Sequence, residues 1–102
     1  MRGRTPIALL AVAAAALLLL PAGARASLHD CDIQATNTAT ISSARDMSCE
    51  TAAREMRRYR GNISTTFRTP GGFRCGRVSG GELSGQWRCV KGHKAFRFEF
   101  AD

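Results

Sequence analysis

Four cysteines, Cys31, Cys49, Cys75 and Cys89, all lie downstream of an apolar N-terminal run, and none lies within it. An even number of thiols behind an export-type leader in a short chain reads as two disulfides. Covalent loop closure suits such a chain, because a small core buries too little surface to hold a fold alone. The leader has the three parts of a signal peptide: basic Arg2 and Arg4, an apolar run from Ile7 to Leu20, and small residues ending Ala24-Arg25-Ala26. This order predicts a signal peptide over residues 1–26, cut after Ala26 or, two residues earlier, after Ala24. The apolar run is shorter than the roughly 20 residues a spanning helix needs. No membrane span is therefore expected after cleavage, and retention of the leader as an anchor is the alternative. The expected location is secreted or periplasmic, in the cell envelope.

Cleavage after Ala26 leaves room for one domain. The full chain has 15 Lys and Arg against 8 Asp and Glu; Arg2, Arg4 and Arg25 leave with the leader and no acid does, so the remainder carries +4. A modestly basic surface permits attraction to anionic partners without demanding it.

Residues 27–45 form a polar, Thr- and Ala-rich N-terminal extended segment, read as a loop or an edge strand tied down by Cys31. Residues 46–102 are expected to be a small α+β disulfide domain. A helix is predicted over Cys49–Arg60, because Cys49, Ala52, Ala53, Met56 and Tyr59 recur on one face. Asp46 or Ser48 is placed to cap it, Glu50 sits in its first turn, and Gly61 is placed to end it. Thr69-Pro70-Gly71-Gly72 is turn chemistry.

From Phe73 the period changes to two. Within each segment the apolar residues share one parity (Phe73 and Cys75; Trp87 and Cys89; Phe96, Phe98 and Phe100), and Arg74, Arg88, Arg97 and Glu99 take the opposite parity of their own segment. This predicts a half-buried antiparallel sheet with strands near Phe73–Val78, Gln86–Lys91 and Lys94–Phe100. The predicted fold is α+β: one helix packed on a three-stranded antiparallel meander, disulfide-stapled. Gly92-His93 reads as a two-residue type II′ hairpin turn. That turn sets Lys91 opposite Lys94, Cys89 opposite Phe96, Arg88 opposite Arg97 and Trp87 opposite Phe98, which places the aromatic rings on one face.

Four cysteines allow three pairings. The reading leans to Cys49–Cys89, bridging helix and central strand, with Cys31–Cys75. Its main rival is Cys31–Cys49 with Cys75–Cys89. A metal site lacks both a C-x-x-C spacing and paired histidines, with His29 and His93 isolated. No cofactor motif is present. The acids are scattered, no serine sits in a nucleophile elbow and no Gly-rich loop opens a helix, so no catalytic residue is named and the chain is read as a non-enzyme.

The one candidate site is a set of arginines. Arg88 and Arg97 oppose each other on the solvent face, with Arg74 a strand away, and like charges so placed repel. An anion relieves that repulsion; a plain solvated sheet face is the commoner case. Arg54, Arg57, Arg58 and Arg60 add positive charge on the helix. The candidate partners are an anionic surface or a protein. Nucleic acid is not expected, because the aromatics are assigned to the core and none remains for base stacking.

Ser48-Cys49-x-x-Ala52, Gly72-Phe73-Arg74-Cys75, Trp87-Arg88-Cys89 and Phe96-Arg97-Phe98 together resemble a group of small secreted, cysteine-containing bacterial proteins from high-GC genomes. The resemblance spans about residues 47–100. It implies export and fold and carries no catalytic residue across. Function thus stands among an exported binding or interaction module, a structural or stress-related envelope protein, and a secreted effector or inhibitor with Ser79–Gly85 as its candidate loop.

Overall fold

The computed structural model describes residues 28–102. The predicted leader and both predicted cleavage points lie outside the described residues. The elements run β1 (Leu28–Gln34), β2 (Ala39–Arg45), α1 (Cys49–Arg58), β3 (Thr66–Arg68), β4 (Arg74–Gly80), β5 (Ser84–Lys91) and β6 (Lys94–Ala101). The strands form one six-stranded sheet in the order β1-β2-β6-β5-β4-β3, with every neighbouring pair antiparallel. The expected three-stranded meander is therefore its middle portion, β4-β5-β6. Two further strands extend it beyond β6 and one beyond β4.

The β5–β6 register follows from the hairpin turn. Gly92 takes φ +60°, and among the described residues Asp46 is the one non-glycine with positive φ, so His93 keeps negative φ as type II′ requires. Lys91 then faces Lys94, Cys89 faces Phe96, Arg88 faces Arg97 and Trp87 faces Phe98. Trp87 and Phe98 stack at 5.7 Å, and Phe73 packs on Phe96 at 5.3 Å.

Residues 28–45, expected as a loop or an edge strand, form a hairpin whose first strand, β1, is an edge of the sheet. Its turn uses the threonines: Thr36 Oγ1 accepts hydrogen bonds from the Thr38 and Ala39 backbone N–H groups at 3.2 and 3.0 Å. Each strand carries a bulge, between Asp30 and Ile33 in β1 and between Ile41 and Ser43 in β2. The bulge puts Ile41 and Ala44, three residues apart, on the same buried face.

α1 lies over this end of the sheet, on the face that carries Trp87, Phe96 and Phe98. Ala52, Ala53 and Met56 join Ile41, Ala44, Phe96, Phe98 and Trp87 in one buried cluster. Ser48 caps the helix by accepting the Thr51 N–H at 3.0 Å. The helix ends at Arg58, earlier than Gly61 would place it. Tyr59 leaves the helix in extended conformation, stacks on Phe67 at 4.5 Å and donates its hydroxyl to the Asn62 carbonyl at 2.6 Å. A Cβ at Gly61 would sit 2.5 Å from the Tyr59 hydroxyl. Close approach to this ring, rather than a left-handed helix cap, is what Gly61 provides.

The disulfides are Cys31–Cys49 and Cys75–Cys89, which corrects the favoured pairing to its rival. Cys75 and Cys89 face each other directly across β4 and β5. Cys49 opens a helix that sits over β1 and β2, while Cys89 is three strand positions from β1, about 14 Å across the sheet. The helix therefore reaches Cys31 and not the central strand. Two disulfides mark an oxidising environment, and among the described residues no helix is long and apolar enough to cross a membrane.

Candidate functional site: the open face of the sheet

The helix and the segment after it cover one face of the sheet, and among the described residues no element packs on the other. Which residues occupy that second face follows from the register. Arg88 and Arg97 are direct partners, as predicted. Arg88 faces Gly76 on its other side, and Arg74 lies two residues along from Gly76, so Arg74 flanks Arg88 diagonally. Arg74 in turn directly faces Arg68 of β3. On the opposite flank Arg97 faces Ser43, and Arg45, two residues along β2, faces Ala95.

The three predicted arginines thus share one face, and the structure adds Arg45 and Arg68 to them. All five side chains are exposed. They fall into two shallow depressions. One, of about 320 Å³, is bordered by Arg45, Arg88, Arg97, Ser43 and Asp30; Arg68 and Arg74 border the other. Sequence reasoning missed Arg68 because β3 is only three residues long. A signal was present, since Thr65-Thr66-Phe67 and Phe73-Arg74-Cys75 bracket the Thr69–Gly72 turn as two arms of a hairpin. Arg45 was missed with the whole of β2.

Arg57, Arg58 and Arg77 are held by the fold. Arg57 donates from Nε to the Ala35 carbonyl at 3.0 Å and from Nη2 to the Gln34 carbonyl at 3.3 Å, tying α1 to the end of β1. Arg58 pairs with Glu55 at 3.4 Å. The Arg77 guanidinium lies 5.9 Å from the Trp87 ring centre. Among the described residues Arg58–Glu55 is the one side-chain ion pair. The five arginines of the open face make no hydrogen bond or ion pair with another described side chain. Helix arginines, expected to add to the same positive surface, project from the layer on the opposite side.

Two other groupings carry less chemistry. Potential ligand atoms of His29, Cys31 and Cys49 lie within 4.8 Å of one another, but both sulfurs are committed to the disulfide, and a thiolate is what binds metal. Glu55 is a buried carboxylate, 6% exposed, that accepts the Gly71 N–H. It fastens the Thr69–Gly72 turn to the helix, while Lys91 donates to the Gly71 carbonyl at 2.7 Å from the other side. Ser79–Gly85, the candidate loop of an inhibitor, is mostly strand, with its turn closed by the Gly81 N–H donating to the Ser84 carbonyl at 2.8 Å.

No protein-family model, curated protein or solved structure matches the chain.

Proposed function

We propose that the protein is an exported, non-enzymatic binding module that engages an anionic partner at the cell surface or outside the cell. The observation that carries this reading is the pairing of the exposed Arg88 and Arg97 on a sheet face that no other element among the described residues covers. Two guanidiniums set opposite each other repel, and a bridging oxyanion offers each a charge-assisted, bidentate partner. The disulfides suit a chain that works in an oxidising compartment. The compartment is testable separately, since intact mass of the exported protein reads the cut after Ala26 or Ala24.

The test of the site is the double variant Arg88→Gln/Arg97→Gln. Retention of the wild type on an immobilised anionic matrix is expected at low ionic strength, weakening steeply as salt screens exposed charges. The variant is expected to stay folded and lose that retention. Unchanged retention would leave the arginines as a solvated face and remove the proposal.

A further inference from the structure

We infer that the open face is a docking track for a linear polyanion with a charge on every backbone unit, of which a phosphate polymer is the fitting kind. This rests on the reading of Arg88 and Arg97 as an anion site and extends it from a clamp to a row. Five adjacent strands in the sheet order β2-β6-β5-β4-β3 each contribute one arginine to the same face: Arg45, Arg97, Arg88, Arg74 and Arg68. Direct partners alternate with diagonal ones. Arg45 is diagonal to Arg97, Arg97 faces Arg88, Arg88 is diagonal to Arg74, and Arg74 faces Arg68. The row therefore runs across the strands without a gap. Four interstrand steps give it a length of about 19 Å.

Its pitch chooses among linear anions. Consecutive arginines stand alternately about 5 Å apart as direct partners and about 7–8 Å apart as diagonal ones, whereas an extended acidic peptide presents side chains to one face at a fixed repeat of about 6.6 Å that matches neither step. Such a peptide leaves arginines unmatched. A phosphate polymer, charged at every unit, has an oxyanion within reach of each guanidinium, and the guanidinium fork takes phosphate through two parallel hydrogen bonds. The face has no aromatic ring to stack a base: Trp87, Phe96 and Phe98 are buried on the other side. A polymer without bases is therefore the better fit than single-stranded nucleic acid. Asp30 borders the row beyond Arg45 and Glu99 lies alongside Arg97 on the same face, so the positive track has acidic limits that discourage a broad, unaligned anion surface.

The experiment titrates the oxidised protein with inorganic phosphate, pyrophosphate and inorganic polyphosphates of increasing length, with polyglutamate, oligothymidylate and anionic phospholipid vesicles in parallel. Affinity is expected to rise with polyphosphate length until the chain covers the row, then level off per chain. Five contacts predict a slope of log K against log salt of about −3.5, at about −0.7 per neutralised charge on a single-stranded polymer. That corresponds to about a 100-fold loss between 50 and 200 mM salt. Arg45→Gln and Arg68→Gln, at the two ends of the row, should each lower the slope by about 0.7, and Arg54→Gln on the helix should leave it unchanged. Binding lost in Arg88→Gln/Arg97→Gln but untouched in Arg45→Gln and Arg68→Gln would overturn the row and leave the two-arginine clamp standing. Equal or tighter binding of polyglutamate, oligothymidylate or vesicles would overturn the assignment to a base-free phosphate polymer. No retention of any polyanion by the wild type would overturn row and clamp together.

Discussion

Tyr59 is the single tyrosine of the chain, and burial pushes its phenol above the ordinary value of 10.0. Its ring is packed on Phe67 and its hydroxyl is spent on the Asn62 carbonyl. The raised value means that the folded state prefers the neutral phenol. Its contribution to stability is therefore complete below the ordinary phenol value and is lost as pH climbs through the raised one. Alkaline titration followed by tyrosinate absorbance should give one transition, with its midpoint above that of a free tyrosine. A midpoint at the ordinary value would mean that the ring is not packed on Phe67. Glu55 makes a second prediction at this scale. Replacing it with Ala strips the half-buried Gly71 N–H of its acceptor, at a cost of about 1 kcal/mol in a thermal or denaturant melt. Glu55→Gln keeps an acceptor oxygen and should lose less. The helical apolar pattern does not mark Glu55 for burial; what buries it is a turn 16 residues on, and nothing in the local sequence announces that contact.

At the scale of elements, the β4-β5-β6 portion of the sheet was legible because each signal agreed with the next. The Gly92-His93 turn set the register, the register put Trp87 opposite Phe98, and the parity of aromatic and arginine residues matched the two faces. The first hairpin was not legible for two physical reasons. Its bulges break the period of two, so Ile41 and Ala44 are buried at a spacing no regular strand gives. Its buried residues are also mostly small: Ala35, Ala39 and Ala44 share one core cluster with Ala52 and Ala53 of the helix, so little bulk marks them in the sequence. The helix was placed correctly at its start and two residues long at its end, because Tyr59 turns out to reach Phe67. The like-charged partners make the prediction at this scale. Arg97→Glu turns the Arg88 pair from repulsive to attractive, and an opposite-charge cross-strand pair contributes roughly 0.2–1 kcal/mol. The variant should melt at higher temperature than wild type while losing retention on an anionic matrix. A lower melting temperature with intact retention would mean that Arg97 is held by contacts other than charge.

For the whole molecule the two disulfides do different work. Cys75–Cys89 joins strands already paired in one ladder, and both cysteines are buried, at 4% and 0% exposure. Cys31–Cys49 joins the edge strand to the start of the helix, and both of its cysteines are only half-buried. It closes a stretch of 18 residues against 14 for the other, so loop entropy alone gives the two nearly equal worth, about 3 kcal/mol each. Access separates them. Thiol–disulfide exchange needs a thiolate to reach a sulfur in line, which the native fold permits at the rim of the β1–α1 junction and blocks beneath the core. Limited reduction under native conditions should therefore accumulate a species with Cys31 and Cys49 alkylated and Cys75–Cys89 intact, and peptide mass mapping would identify it. That species should keep the β4-β5-β6 ladder and the Arg88–Arg97 pair, with loosened β1, β2 and α1. Cys75–Cys89 should open only as the sheet unfolds, so its reduction rate should track global unfolding as denaturant is added. If Cys75–Cys89 were reduced first, or both bonds opened at one rate, the sheet would not be the protected unit that its buried cysteines indicate.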